Sequence, residues 1–130
     1  MLKDAKVATR LPAKDLVIGI RVMDLPKAYA LQAVVRARVV NDTINHLALV
    51  LFATSAESAS VFERTVNRQA LSFQAVGSAI QDRETGSTWD PVSGVATTGQ
   101  LAGQRLRPVP ATSSFWFGWF DFFPGTALYK

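Results

Sequence analysis

The sequence predicts a single, mainly antiparallel β domain, barrel-like or sandwich-like, closed by a short aromatic helix near its C-terminus. Three observations predict it. Short apolar runs rich in β-branched residues alternate with turn signals. The repeated helical patterns, roughly 10–15 residues long, that an α/β layout needs are missing. Finally, seven of the nine residues from Phe115 to Phe123 are aromatic, flanked by Thr112-Ser113-Ser114 and Pro124-Gly125. With 130 residues the chain is one domain of ordinary size, able to bury a real core. Its boundaries read as an N-terminal arm over residues 1–13 and one β-rich domain over 14–130.

The elements follow in order. The arm is mixed in character and ends at Leu11-Pro12. Leu16 to Val22 (L-V-I-G-I-R-V) is a strand by its β-branched content. Asp24-Leu25-Pro26 reads as a turn, because Pro26 restricts the residue before it. Lys27 to Val34 and Val35 to Val40 read as further strand, with a helix as the weaker alternative given Ala28, Ala30, Leu31 and Ala33. Asn41-Asp42-Thr43 supplies side chains that bond their own backbone in turns. His46 to Phe52 is nearly all apolar, as a strand buried on both faces would be. Ser58 to Arg64 and Gln69 to Val76 read as a hairpin around Val66-Asn67-Arg68. Within the second arm, Ala70, Ser72 and Gln74 alternate with Leu71, Phe73 and Ala75, the period of a half-buried strand. Glu84-Thr85-Gly86-Ser87 is a tight turn in which Gly86 takes positive φ. Thr112, Ser113 and Ser114 are good helix N-caps and Pro124-Gly125 a good stop. As a helix, the segment between them puts Trp116, Trp119, Phe120 and Phe123 on one face. Phe115 and Phe122 fall on another, so the segment is apolar nearly all round.

Composition excludes more chemistry than it suggests. There is no cysteine and one histidine, which leaves out zinc fingers, thiol nucleophiles, iron–sulfur clusters and disulfides. A transition-metal site usually needs three or four N, S or O ligands, so none is expected. His46 reads as a turn-end residue at a strand start. Without a nucleophile in a recognisable elbow it makes no catalytic triad. Glu57 and Glu63 flank a strand, and Asp82, Glu84 and Asp90 surround the D-R-E-T-G-S-T-W-D turn. Arg83 between two of these favours a local ion-pair network over acid–base chemistry. No glycine pattern fits a phosphate loop or a dinucleotide fingerprint. Catalytic residues, metal and cofactor are therefore all expected to be absent. The net charge is +4, but the nine arginines are scattered as pairs rather than a patch, which argues against nucleic acid. No signal peptide is visible in M-L-K-D-A-K-V, and no window approaches the roughly 18 apolar residues of a spanning helix. The sequence reads as soluble or peripheral. Charged residues make up only 18% of the chain, below the roughly 25% of soluble domains, a sign that some apolar surface is covered by something else.

The order D-R-E-T-G-S-T-W-D-P, G-Q-L-A-G-Q-R-L-R-P-V-P and F-W-F-G-W-F-D-F-F-P-G-T, from Asp82 to Thr126, resembles the bacterial and archaeal family catalogued as domain of unknown function 3179. V-I-G-I-R-V (Val17–Val22), K-A-Y-A-L (Lys27–Leu31) and V-N-D-T-I (Val40–Ile44) resemble its entry strands. V-F-E-R-T-V-N-R-Q-A-L-S-F (Val61–Phe73) resembles its central hairpin. The resemblance covers about residues 10 to 129. It implies an exported, mostly β protein, hence an extracytoplasmic location at the periplasm or cell surface, and carries no settled activity. Many members of that family have a C-P-L-C element where this chain reads Ala53-Thr54-Ser55-Ala56. With both thiol positions replaced, no thiolate-based role carries over. Gly125 also departs from the acidic residue usual there.

The expected function is a non-enzymatic extracytoplasmic accessory or interaction domain, a subunit of a larger, membrane-associated assembly. The alternative is a β domain that binds a small ligand or cofactor. Two groups of residues carry the expectation. Asp82, Arg83, Thr85, Gly86, Ser87 and Trp89 form a signature turn that fixes a hairpin. Phe115, Trp116, Trp119, Phe120, Phe122 and Phe123 form either an interface to a protein partner, a second copy or a membrane surface, or the plug of one end of the domain, with Phe115 and Phe122 beneath the Leu11-Pro12 arm.

Overall fold

The computed structural model of the protein describes residues 10–130. The expected arm lies outside the described residues as far as residue 9. The order of elements is β1 (Leu16–Val22), β2 (Leu25–Ala30), α1 (Leu31–Ala37), β3 (Val39–Ile44), β4 (Leu47–Ser55), β5 (Ser58–Glu63), β6 (Thr65–Val66), β7 (Gln69–Ala70), β8 (Phe73–Val76), β9 (Ala79–Asp82), β10 (Thr88–Trp89), β11 (Ala96–Thr98), β12 (Thr112–Phe115), α2 (Trp116–Phe122) and β13 (Ala127–Tyr129). The protein is mainly antiparallel β with a short C-terminal aromatic helix. Its sheets run β12-β1-β2-β13, β3-β4-β5, β11-β10-β9-β8 and β6-β7, so the arrangement is sandwich-like and none of them closes into a barrel.

Apolar alternation explains the layering. Along β1, Ile18, Ile20 and Val22 enter one core with Leu49, Leu51 and Val61 of the β3-β4-β5 sheet and Leu31 and Val34 of α1. Val17 points the other way, into a second core with Trp116, Trp119 and Phe120. The next residue register in β4, Val50 and Phe52, faces Phe62, Phe73, Ile80 and Trp89 in a third core. The layers therefore stack as α2, the β1 sheet, the β4 sheet and the β9 sheet. Strand β4 is the middle of this stack, and Leu49, Val50, Leu51 and Phe52 are fully buried, as its unbroken apolar run predicts.

Several boundaries differ from expectation, each for a local reason. The first hairpin turns at Met23–Asp24, both at positive φ, while Leu25 and Pro26 already pair with Val22 and Arg21. Asn41, Asp42 and Thr43 lie within β3 rather than in a turn. Burial of Val40 and Ile44 on the pleat fixes them there, and the turn falls at Asn45–His46, again both left-handed. A third two-residue turn, Asn67–Arg68, has the same geometry. Two consecutive positive φ values match the right-handed twist of the flanking strands. Leu31–Ala37 is a helix rather than strand, because Leu31, Ala33 and Val34 share its buried face. The expected hairpin of Ser58–Arg64 with Gln69–Val76 is split. β5 pairs with β4, β8 pairs with β9, and the Asn67–Arg68 turn joins only the two-residue strands β6 and β7. Finally, Thr112–Ser114 continue as strand, and α2 starts after Phe115 with no side-chain cap. Among the described residues no helix is long and apolar enough to cross a membrane.

Candidate functional site

The signature turn is a closed polar network. Asp82 ends β9 fully buried, yet every oxygen of its carboxylate has a donor. The Thr85 amide donates to Oδ1 at 2.5 Å. The Thr85 hydroxyl and the Trp89 indole N–H both donate to Oδ2, each at 2.9 Å. Since the Thr85 hydrogen is used on Asp82, the Ser87 hydroxyl donates to Thr85 Oγ1 at 2.7 Å and accepts the Leu101 amide at 3.0 Å. Gly86 closes the turn at φ +72°, with its amide on the Asp82 carbonyl at 3.0 Å. Gly99 passes so close that a Cβ there would lie 2.7 Å from Ser87 Cα. Trp89 is buried beside the turn, edge-on to Phe73. Arg83 does not join this network. Its side chain is exposed, and among the described residues it forms no ion pair with Asp82 or Glu84. Neutral donors satisfy Asp82 at no cost of burying a second charge, and Glu84 instead accepts the Ser72 amide at 2.8 Å. Asp90, further on, is held below the usual carboxylate range by the Ser93 hydroxyl and the Val92 amide. The polar atoms of Asp82, Thr85 and Ser87 are thus engaged within the turn, while the Arg83 side chain stands outside it.

A second polar cluster was not foreseen from sequence. The Lys27 ammonium and the Tyr29 hydroxyl both donate to Asp42 Oδ2 at 2.6 Å. Burial opposes ionisation of Asp42, but the bonds from Lys27, Tyr29 and the Thr43 amide outweigh it and hold its carboxyl below the usual range. Tyr29 is pushed far above the usual phenol range, by burial first and then by Asp42. A phenol so held keeps its proton and is no general base. Lys27 and Tyr29 share a face of β2 by the period of two, but nothing local announces their partner in β3. Arg64 is likewise structural: its guanidinium donates to the carbonyls of Asp42, Leu49 and Leu71, tying three segments together. Glu57 and Glu63 sit at opposite ends of β5. His46 is exposed in its turn. Among the described residues no group of three His, Cys, Asp or Glu side chains comes together.

The aromatic segment is divided by the fold. Trp116, Trp119 and Phe120 are buried against Leu11, Val17, Ala28 and Ala30. Trp119 is seated by two contacts: its Nε1–H donates to Thr126 Oγ1 at 2.9 Å, and its ring lies flat over Gly19, where a Cβ would be 2.2 Å from the indole. A glycine inside a strand run is the signature of such a close approach. Phe123 is partly buried, 4.5 Å ring to ring from Trp119 and beneath the Arg21 guanidinium at 5.4 Å. Phe115, Phe117 and Phe122 remain 48%, 54% and 83% exposed, and the first two stack on each other. Leu11 thus covers the tryptophan face, and Phe115 and Phe122 do not lie beneath it.

Two adjoining clefts flank α2. One, of about 400 Å³, is lined by Gly19, Arg21, Pro110, Thr112, Trp119 and Phe123. The other, of about 370 Å³, is lined by Thr112, Ser114, Gly118, Trp119, Phe122 and Phe123. They run beside β12, which among the described residues pairs only with β1. Trp116 donates its amide to Asp15 at 2.8 Å, and the register puts Leu16 opposite Phe115. Hydrogen-bonded pairs alternate in an antiparallel ladder, so Thr112 and Ser114 turn their amides to β1 while Ser113 and Phe115 turn theirs outward.

The family model for "Protein of unknown function (DUF3179)" matches residues 1–126. The chain belongs to this family. As a DUF3179 protein it lacks cysteine altogether, and its Ala53–Ala56 stretch is only the end of β4 and the exposed turn into β5. Within the matched span, the D-R-E-T-G-S-T-W-D-P stretch forms the network around buried Asp82 described above. No curated protein and no solved structure matches the chain.

Proposed function

We propose that this DUF3179 protein is a non-enzymatic, extracytoplasmic interaction domain that docks into a larger, membrane-associated assembly through the exposed side of α2. The observation that carries this reading is the exposure of Phe115, Phe117 and Phe122 around α2, the first two stacked on each other where β12 meets the helix. Each aromatic side chain can bury about 150–250 Å². The stacked Phe115–Phe117 pair therefore exposes about 150–250 Å² of apolar surface, and Phe122 adds a separate exposed ring at the rim of the cleft beside α2. The buried polar clusters support the same reading, since their donors and acceptors are spent on the fold. The extracytoplasmic location rests on the family resemblance.

A photo-reactive residue at position 122 tests the proposal directly. In cell-envelope fractions it should give a discrete adduct, whereas the same group at Val92, exposed but remote in sequence from α2, should give none. Equal labelling at both positions would refute docking through α2. A second reading, small-ligand binding, is favoured by the cleft where the Arg21 guanidinium meets Trp119 and Phe123. Saturable binding of a small aromatic acid, abolished in Arg21→Ala, would support it instead.

A further inference from the structure

The two clefts beside α2 differ in character and share a wall. We infer that together they hold a carboxylate amphiphile of the medium-chain fatty acid class, with its acid head at Arg21 and its hydrocarbon chain running along Gly118 toward Phe122. The inference rests on the small-ligand reading above and gives that ligand two distinct ends.

The pleat of β1 sets the face. Val17 points into the core under α2, so Gly19 and Arg21, at steps of two, point the same way. Thr112 and Ser114 sit opposite Gly19 and Val17 in the antiparallel register and share that face. Trp119 lies over Gly19, and its ring is a wall common to both clefts, together with Thr112 and Phe123.

Polarity separates the two compartments. Among the described residues Arg21 is the only charged group lining either cleft. Of the five N–H donors of its guanidinium, one donates to Asp24, at 3.3 Å. That bridge is exposed, with the Asp24 side chain 92% accessible, and such pairs contribute little. An arriving carboxylate therefore competes only with a weak partner, and the planar fork can meet it with two parallel bonds. The Thr112 hydroxyl in the same cleft has no partner among the described residues and can add a third. In the other compartment the donors are already used. The Trp119 indole N–H is on Thr126, and the Ser114 hydroxyl is on the Phe115 carbonyl. What remains there is ring and backbone, from Trp119, Phe122, Phe123 and Gly118, a lining suited to hydrocarbon. A Cβ at Gly118 would lie 3.4 Å from Ser114 Oγ, so a larger side chain at that position enters the compartment.

Size and charge narrow the class. At about 400 and 370 Å³ each cleft is at the small end of ligand sites, and the adjoining pair suits an elongated molecule better than a compact one. A cationic amphiphile would meet Arg21 with like charge. A neutral one would leave the guanidinium unmatched.

Isothermal titration calorimetry with octanoate tests the inference. Octanoate should bind saturably, and decanoate more tightly, by up to about fourfold per added methylene. Arg21→Gln keeps a donor for Asp24 but loses the charge. It should weaken octanoate by at least about tenfold and leave the binding of octanol unchanged. Gly118→Leu, which places a better helix former in α2, should abolish octanoate binding while preserving the melting temperature. Octanoate binding that survives either substitution overturns the inference, as does equal affinity for octanoate and decanoate. Phenylacetate separates this inference from the reading beneath it. If phenylacetate binds through Arg21 and octanoate does not bind, the two-ended ligand fails and the small-ligand cleft stands. If neither binds, both fail.

Discussion

Replacing Gly19 by Ala tests how the aromatic helix is held. The new Cβ would lie 2.2 Å from Trp119 Cζ3 and 2.3 Å from Cε3, a distance that no packed pair tolerates. Gly19 is buried, so the methyl cannot swing into solvent. Either the indole shifts or α2 lifts. Forcing a methyl into a packed core costs about 1–3 kcal/mol. A displaced indole also gives up its bond to the buried Thr126 hydroxyl, about 1–3 kcal/mol more. The expected loss is about 2–5 kcal/mol by urea denaturation followed by circular dichroism. The sign carries the information. Gly to Ala within a strand would otherwise be favourable by about 0.5–1 kcal/mol, because glycine loses more entropy on folding. In a Trp119→Phe background, where the outer indole ring is gone, Gly19→Ala should become neutral or stabilising. The coupling between the two changes should be at least about 1 kcal/mol. If Gly19→Ala costs the same in both backgrounds, the indole is not the reason for the glycine and the account of α2 seating is wrong.

Other expectations follow from the same geometry. Gly86→Val should destabilise by about 1–3 kcal/mol through backbone strain alone, since a Cβ at Gly86 meets nothing within 4 Å; an unchanged melting temperature with loss of a specific ligand would make the turn a binding site. Asp82→Asn places an amide N–H₂ against donors from Thr85 or Trp89, with an expected cost of about 2–4 kcal/mol and a shift in Trp89 fluorescence. Because the folded-state carboxyl of Asp42 ionises below its unfolded value, its stabilisation is complete above roughly pH 3.9 and is lost as pH falls from there through the folded value. Asp42→Asn should flatten that acid limb of the stability–pH curve, and an unchanged limb would assign it to other carboxylates. Elemental analysis after dialysis should find well under one equivalent of zinc, copper or iron, since one histidine and no cysteine fall short of a ligand set.

What was legible in the sequence was whatever is encoded locally. The β1 run Leu16–Val22 and the fully apolar core of β4 declare themselves through composition, and Gly86 through the backbone conformation that its turn requires. Turn positions were misplaced where polar residues lie inside strands. Asn41 reads as a turn residue, yet its side-chain amide exchanges two 2.9 Å bonds with the backbone of Phe73 in the next sheet. Asp42 reads likewise and instead meets Lys27 and Tyr29. Such partners lie far away in sequence, so no local window contains them. Leu31–Ala37 falls in a stretch that reads as strand with a helix as the weaker alternative, and its packing against β4 and β5 makes it the helix. For the aromatic segment, helical periodicity identified the buried Trp116–Trp119–Phe120 face. Which rings stay outside depends on how far β12 and α2 overlap the sheet, and that is a property of the tertiary fold.

The pairing of β13 with β2 has a consequence for how the protein is made. Ala127 lies beside Lys27, one hundred residues earlier, in parallel register, and β1 likewise waits for β12. On the ribosome, β1 and β2 emerge about a hundred residues before β12 and β13, as a hairpin that is marginal by itself. The middle of the chain can form its local hairpins in the meantime. Completion of the first sheet therefore waits for β12 and β13, and the long interval exposes β1 and β2 to mispairing. The nascent chain has its greatest need of a holding chaperone at that stage.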